Sequence, residues 1–177
     1  ITWFYVSTSN SAGTINPEPD SYVTYNYVEN AWSIGTMDRT VWSDSFGARD
    51  VPFAFDPDGL LYNHETGTSD NGSAMSSYIE SSPREITQNG ENLFMVDKVI
   101  PDVTMTSDTN LYFNLNSRKY PNATEVVKGP FTITSSTQKV STRAKGRQIA
   151  MKIYSTGTTD EWSIGDFRIN AREDGLR

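Results

Sequence analysis

Three observations predict an all-β protein from this sequence of 177 residues. Apolar and polar residues alternate in short runs, which is the pattern of strands with one buried face. Residues that favour turns separate these runs, and aromatic residues make up 12% of the chain, a mixture typical of strand-rich proteins. No window has the apolar period of a long amphipathic helix.

The first part of the chain reads as a series of hairpins. Val23 and Tyr25 alternate with polar residues in a strand over residues 22–28, which a turn at Glu29-Asn30 joins to a partner strand over residues 31–34. Strands at 53–55 and 60–63 flank Asp56-Pro57-Asp58-Gly59, a run with strong turn chemistry. Short antiparallel hairpins of this kind build propeller blades and sandwiches. We therefore predict propeller-blade-like β-hairpins over residues 1–70.

A polar, glycine-bearing segment, residues 66–73, reads as a linker between two domains. After it, alternating runs predict strands at 74–80, 92–103, 111–115, 131–134, 148–154 and 162–172. This pattern is typical of an antiparallel β-sandwich or jelly roll. We predict such a domain over residues 71–177.

The tetrapeptide Trp-Ser-Ile-Gly occurs twice, at residues 32–35 and 162–165. We interpret each copy as the end of a strand, in which the tryptophan is buried and the glycine releases the chain. The interpretation makes Trp32 and Trp162 structural residues, both largely buried because of their large apolar area.

The charge of the chain is uneven. Residues 1–108 carry 16 acidic and 4 basic residues, whereas residues 109–177 carry 6 acidic and 11 basic residues. Within the acid-free span 126–159, Arg143, Lys145 and Arg147 would share one face of a strand if Gly146 introduces no bulge. We expect this face to meet an acidic neighbour or DNA; the alternative is an ordinary solvated strand face.

The sequence contains few residues or motifs that indicate catalysis or cofactor binding. The one histidine, His64, has no nucleophile and acid at a recognisable spacing, so we interpret it as structural. The run at 56–59 lacks the further oxygen ligands of a calcium loop and is interpreted as a β-turn. The chain has no cysteine, and no metal or cofactor motif. We predict a protein without enzymatic activity and without cofactors.

Several segments together resemble one family. They are WSIGTMDRTVWSD (32–44), PFAFDPDGLLYNHETG (52–67), GSAMSSYIES (72–81), FMVDKVIPDV (94–103), LNSRKYP (115–121), KGRQIAMKI (145–153) and EWSIGDFRINAREDGLR (161–177). This ordered series is similar to the C-terminal part of the tail nozzle, or packaged-DNA stabilisation, proteins of short-tailed bacteriophages. Leu176 departs from the usual acid-Asp-Gly-Arg-Arg ending of that family.

The resemblance implies terminal blades of a β-propeller followed by a C-terminal β domain. It also implies a virion structural protein without catalysis, in which six copies form a ring that contacts the adaptor and conducts and retains packaged DNA. No apolar run long enough to cross a membrane is present, and we expect no membrane partner. The alternatives are a carbohydrate-binding β-sandwich module, on account of the aromatic residues, and an enzyme fragment with a carboxylate pair.

Overall fold

The computed structural model describes residues 1–11, 17–86, 92–106 and 108–175. The last two residues of the closing motif, Leu176 and Arg177, lie outside the described residues. The prediction of an all-β protein is confirmed, since the described residues form 18 strands and one helix of four residues. The chain forms two compact units, Ile1–Thr66 and Gly67–Arg177, so the boundary in the sequence falls at the start of segment 66–73.

Unit 1 contains two three-stranded antiparallel sheets, with the strand orders β1-β2-β3 and β4-β5-β6. Its elements are β1 (Thr2–Tyr5), α1 (Thr8–Ser11), β2 (Ser21–Asn26), β3 (Ala31–Thr36), β4 (Val41–Ser43), β5 (Phe53–Phe55) and β6 (Leu61–Asn63).

Side chains of turn residues close the two predicted hairpins of unit 1. Between β2 and β3, the Asn26 side-chain oxygen accepts the backbone N–H of Val28 at 3.1 Å. Between β5 and β6, Asp56 Oδ1 accepts the backbone N–H of Leu60 at 2.8 Å, and Gly59 has a φ of 82°. The interpretation of residues 56–59 as a turn is therefore confirmed.

The first Trp-Ser-Ile-Gly copy does not end its strand, contrary to our expectation. Strand β3 continues through Gly35 to Thr36. Gly35 pairs with Tyr22, and a Cβ at Gly35 would overlap the Tyr22 ring and its hydroxyl oxygen. The glycine therefore makes room for the cross-strand tyrosine ring and does not release the chain.

The prediction that Trp32 is buried is wrong, because 63% of this residue is exposed. Trp32 pairs with Tyr25, and the two rings stack with centroids 4.5 Å apart. The ring of Trp3 stacks on the same tryptophan at 6.0 Å. Pairing places these rings on one side of the sheet, together with Val23 and Ile34.

The second sheet of unit 1 does not cover this side. Phe4, which points to the opposite side of β1, approaches Trp42 of β4 at 6.4 Å between centroids. We call the uncovered side the aromatic face; its residues are Trp3, Val23, Tyr25, Trp32 and Ile34. A side chain can be strand-forming and apolar without being buried, which is why the pattern alone misplaced Trp32.

Unit 2 contains a five-stranded, a three-stranded and two two-stranded antiparallel sheets. Its strands are β7 (Ser69–Asp70), β8 (Ser73–Ala74), β9 (Ser77–Glu80), β10 (Arg84–Glu85), β11 (Phe94–Ile100), β12 (Val103–Met105), β13 (Leu111–Arg118), β14 (Val126–Ile133), β15 (Val140–Gly146), β16 (Gln148–Ser155), β17 (Trp162–Ile164) and β18 (Arg168–Glu173).

Segment 66–73, which we predicted to be a linker, contains most of a short hairpin. Strands β7 and β8 form a hairpin in which Ser69 pairs with Ala74 and Asp70 with Ser73. The two turn residues, Asn71 and Gly72, have φ angles of 46° and 84°. Two positive φ angles at an Asn-Gly pair are the signature of a type I′ turn, a signal that the polar composition obscured.

The core of unit 2 takes side chains from two sheets. The five-stranded sheet has the order β10-β16-β13-β14, with β9 also paired to β16, and supplies Leu111, Phe113 and Ile153 among others. The three-stranded sheet has the order β15-β11-β18 and supplies Phe94, Val96 and Val99 from its central strand β11. One layer of apolar side chains therefore joins the inner faces of both sheets.

Trp162 is half-buried and packs against this core. Its indole N–H donates to the Ser155 hydroxyl at 3.1 Å, which satisfies the polar end of the ring. The two Trp-Ser-Ile-Gly copies thus occupy different environments. In the second copy the strand β17 does end before Gly165, as predicted.

Candidate polyanion-binding face

The outer face of the three-stranded sheet of unit 2 is rich in cations. In β15 burial alternates strictly, so that Val140 and Ala144 are buried whereas Arg143 and Lys145 are exposed. In β18, Arg168 and Arg172 are exposed on the side away from the half-buried Ile169 and Ala171 that pack on the core. A period of two therefore directs the basic side chains of both outer strands away from the core.

The central strand β11 adds a fifth cation. A register shift between Val96 and Lys98 brings Lys98 opposite Ser141 on one side and Asn170 on the other. Ser141 and Asn170 are both exposed, so Lys98 lies on the outer face. We call this surface the basic face; its cations are Lys98, Arg143, Lys145, Arg168 and Arg172.

Strand pairing sets the spacing of these cations. Met95 lies between Lys145 and Arg172 in the register, which separates the two cations by two strand spacings, about 10 Å. Arg143 precedes Lys145 by two residues in β15, a distance of about 7 Å. The cations therefore form a dispersed patch across three strands, and a linear polyanion could contact several of them at once.

Acidic residues neutralise the patch only in part. Lys145 Nζ lies 2.6 Å from Asp174 Oδ2, and Asp97 accepts a hydrogen bond from the Asn170 amide at 2.8 Å. Within the described residues, no acidic oxygen lies within 4.0 Å of Lys98, Arg143, Arg168 or Arg172. Four of the five cations of the basic face thus have no ion pair among the described residues, in a chain with a net charge of −7.

Arg147 does not belong to this face, contrary to the expectation that it would extend the row of Arg143 and Lys145. Strand β15 ends at Gly146. A Cβ at Gly146 would lie 2.7 Å from the Arg118 carbonyl oxygen, so the chain passes very close to β13 there. The backbone N–H of Arg147 donates to the same oxygen at 2.8 Å, and its guanidinium donates to the Lys119 carbonyl at 2.9 Å.

We did not select Lys98, Arg168 and Arg172 as candidates from the sequence because they lie outside the acid-free span 126–159. The sequence does indicate a shared exposed face for two of them, because Arg168 and Arg172 alternate with the apolar residues Ile169 and Ala171. Only the pairing of β11 with both β15 and β18 brings the two basic segments together.

His64 lies in unit 1 among aromatic and basic side chains. Its Nε2 accepts a hydrogen bond from Arg39 Nε at 3.2 Å, and its ring lies 4.5 Å from that of Trp42. The Arg39 guanidinium carbon lies 4.3 Å from the centre of the Tyr62 ring. Desolvation, followed by the charge of Asp56, raises the pKa of the Tyr62 phenol above its ordinary value. These contacts hold the histidine in a packed cluster.

The described residues contain no group of three or more histidine, aspartate or glutamate side chains that could hold a metal ion. Within the same part of the chain, no helix has the length and apolar character needed to cross a membrane. Searches against family models and against curated proteins found no match to this chain.

Proposed function

We propose that this chain is a non-catalytic structural protein of a phage tail, which forms part of a nozzle ring and contacts packaged DNA. The observation that carries the proposal is the aromatic face of unit 1. Trp3, Trp32 and Ile34 are 46%, 63% and 72% exposed, respectively, in the single chain. In this proposal the aromatic face is the surface that meets a neighbouring subunit, which is one of the roles that exposed apolar patches serve.

The distribution of buried residues supports an assembling protein. Among the described residues, Ala54 is the one buried hydrophobic residue of unit 1, whereas unit 2 has thirteen. Unit 1 folds its strands without enclosing a core of its own. Its aromatic side chains would become buried when further chain or a second copy packs on them.

We base the finer architecture of both units on the resemblance to tail nozzle proteins. Each sheet of unit 1 has three antiparallel strands, one fewer than the four of a typical propeller blade. We assign these sheets to terminal propeller blades, and unit 2 to a β-sandwich of the jelly-roll kind. Side chains from two antiparallel sheets in one core support the assignment of unit 2.

In this proposal the basic face serves the ring in one of two ways. It contacts packaged DNA non-specifically, or it meets an acidic surface of a neighbouring subunit or of the adaptor. A head-to-tail ring requires two different complementary surfaces on each subunit. The basic face would be one of these surfaces, and an acidic surface of the neighbouring subunit would be the other.

Assembly is tested by electron micrographs and mass photometry of the purified chain. The wild type is expected to form closed rings, and Trp3→Glu with Trp32→Glu should leave monomers, because two charges would be buried in the contact. Tyr27→Glu is the matched control, since Tyr27 is 70% exposed but lies outside the strands. A monomeric wild type at high concentration would contradict the proposal.

The role of the basic face is tested by reversing Arg143, Arg168 and Arg172 to glutamate. Binding of a labelled DNA duplex should weaken, and its logarithmic salt dependence should fall by about 0.9 for each phosphate that the variant no longer neutralises. Arg84→Glu, on β10 of the other sheet, is the control. Unchanged DNA binding with failed ring formation would assign the face to a neighbouring subunit.

A further inference from the structure

Three tyrosines form a row on the outer face of the five-stranded sheet. Tyr154 on β16 pairs with Tyr78 on β9 and with Tyr112 on β13. The neighbouring residue Ile153 points into the core, so the tyrosines point away from it. The rings of Tyr112 and Tyr154 have centroids 5.4 Å apart, and Tyr78 is 54% exposed. We call this surface the tyrosine face.

Polar side chains follow the tyrosines along the same face. Lys152 pairs with Glu80 on one side and with Asn114 on the other, one row below the tyrosines. The Lys152 ammonium lies 4.8 Å from the centre of the Tyr78 ring and 3.2 Å from a Glu80 carboxylate oxygen. Asn116 follows two residues further along β13, about 7 Å away.

The polar groups that a ligand can reach on this face belong to the Lys152–Glu80 pair, whose side chains are 34% and 40% exposed. Asn114 Oδ1, Asn116 Oδ1 and Arg118 Nε, on the outer side of β13, have no hydrogen-bond partner in the described residues. Each of these three atoms has less than 1 Å² of accessible surface, so none of them contacts a ligand on the surface.

Charge argues against a polyanion at this face. Lys152 is paired with Glu80, and the Arg118 guanidinium is paired with Glu125. A further acid, Glu85, accepts a hydrogen bond from the Gln148 amide at 3.3 Å. The cations are thus neutralised by acids of the same face, in contrast to the basic face on the other sheet.

We propose that the tyrosine face binds an uncharged saccharide. The tyrosine rings offer apolar surfaces on which sugar rings stack, with hydroxyl groups of their own at the rim. Sugar hydroxyls both donate and accept hydrogen bonds, which matches the donor ammonium of Lys152 and the acceptor carboxylate of Glu80, directly or through a bridging water. The site adds a glycan contact to the assembly role and does not depend on it.

The test is binding of the labelled full chain to an array of neutral hexose and N-acetylhexosamine oligosaccharides. Titration with the strongest array ligand then gives the affinity. Tyr78→Ala and Tyr154→Ala should each weaken binding about tenfold, the reduction expected when one aromatic ring no longer stacks on a sugar. Tyr154→Phe should retain most of the affinity, and Tyr27→Ala in unit 1 should retain all of it.

Tyr78 is the decisive position, because it is exposed on an edge strand and its removal leaves the core intact. Circular dichroism of each variant confirms that it is folded. The proposal is overturned if the wild type binds no neutral oligosaccharide, or if binding survives both alanine substitutions. It is also overturned if the array signal is confined to acidic glycans and disappears in Arg143→Glu, which would place the ligand on the basic face.

Discussion

Asp20 ties the start of β2 to the end of β1 by two hydrogen bonds. The Ser7 hydroxyl donates to Asp20 Oδ2 at 2.5 Å, and the Ser7 backbone N–H donates to Oδ1 at 2.7 Å. Both bonds favour the ionised carboxylate and lower the pKa of Asp20, the hydroxyl bond most. The carboxylate thus contributes stability that is full above the ordinary pKa of about 3.9 and is lost as pH falls through the lowered value.

Asp20→Asn should therefore flatten the dependence of unit 1 stability on pH in the acid range. Denaturation of unit 1 can be followed by tryptophan fluorescence, because three of the four tryptophans lie there. Asp38→Asn is the control, since the Asp38 carboxylate accepts no hydrogen bond in the described part of the chain. An unchanged acid limb in Asp20→Asn would mean that the Ser7 contact is not kept in solution.

Gly129 and Gly72 illustrate two different reasons why a position requires glycine, a backbone conformation and a lack of space for a Cβ atom. Both have positive φ, 124° and 84°, but a Cβ at Gly129 would lie 2.6 Å from the Phe113 carbonyl oxygen, whereas a Cβ at Gly72 would meet nothing within 4 Å. Gly72→Ala should cost about 1–2 kcal/mol from backbone conformation alone. Gly129→Ala should cost about 1–3 kcal/mol more, because β14 must move away from β13. Urea denaturation of unit 2 measures both, and equal destabilisation would contradict the close approach.

At the scale of the strand, alternation predicted most of what the structure contains. Arg143 and Lys145 could be placed on one exposed face because Val140, Thr142 and Ala144 alternate with them. Strand ends were harder: the chain continues past Gly35 because of Tyr22, and β15 ends before Arg147. Both outcomes depend on a neighbouring strand, which the sequence does not specify locally.

The assembly of the basic face could not be predicted for the same reason. Lys98, Arg143 and Arg168 come from three separate strands, and their meeting depends on β11 lying between β15 and β18. The exposure of Trp32 depends on which side of β1-β2-β3 the second sheet takes. Local patterns fix the period of a strand, whereas these two results follow from long-range packing.

The acids that border the basic face should restrain its affinity for polyanions. Asp174→Asn releases Lys145 from its ion pair and removes one negative charge, so DNA binding at low salt should become tighter. The pair is 39% exposed on both sides, so its removal should change the unfolding free energy by at most about 1 kcal/mol. Fluorescence anisotropy with a labelled duplex and thermal melting test the two statements, with Asp160→Asn as the control. Weaker DNA binding by Asp174→Asn would show that Asp174 positions Lys145 for the ligand.

At the scale of the whole molecule, the two units differ in how they are stabilised. Unit 2 buries a continuous apolar core, whereas unit 1 leaves most of its aromatic residues exposed. Residues 67–177 produced alone should therefore be monomeric and should unfold cooperatively. Residues 1–66 produced alone should self-associate. Calorimetry and sedimentation measure both, and a non-cooperative melt of 67–177 would contradict the separation.

Limited proteolysis locates the boundary independently. The turn at Asn71-Gly72 is exposed and belongs to a hairpin of two-residue strands, so a protease of broad specificity should cut within residues 66–73 first. N-terminal sequencing of the fragments identifies the site. A first cut within β16, which lies inside the five-stranded sheet, would instead mean that unit 2 unfolds locally before a protease can cut residues 66–73.

The aromatic face of unit 1 also makes protein concentration a thermodynamic variable for this chain. If the folded form of unit 1 associates through this face and the unfolded form does not, mass action stabilises the folded form as concentration rises. The melting temperature of unit 1 should then increase with protein concentration, while that of unit 2 stays constant. Dilution alone would therefore lower the stability of unit 1, which carries the exposed tryptophans, and leave the stability of unit 2 unchanged.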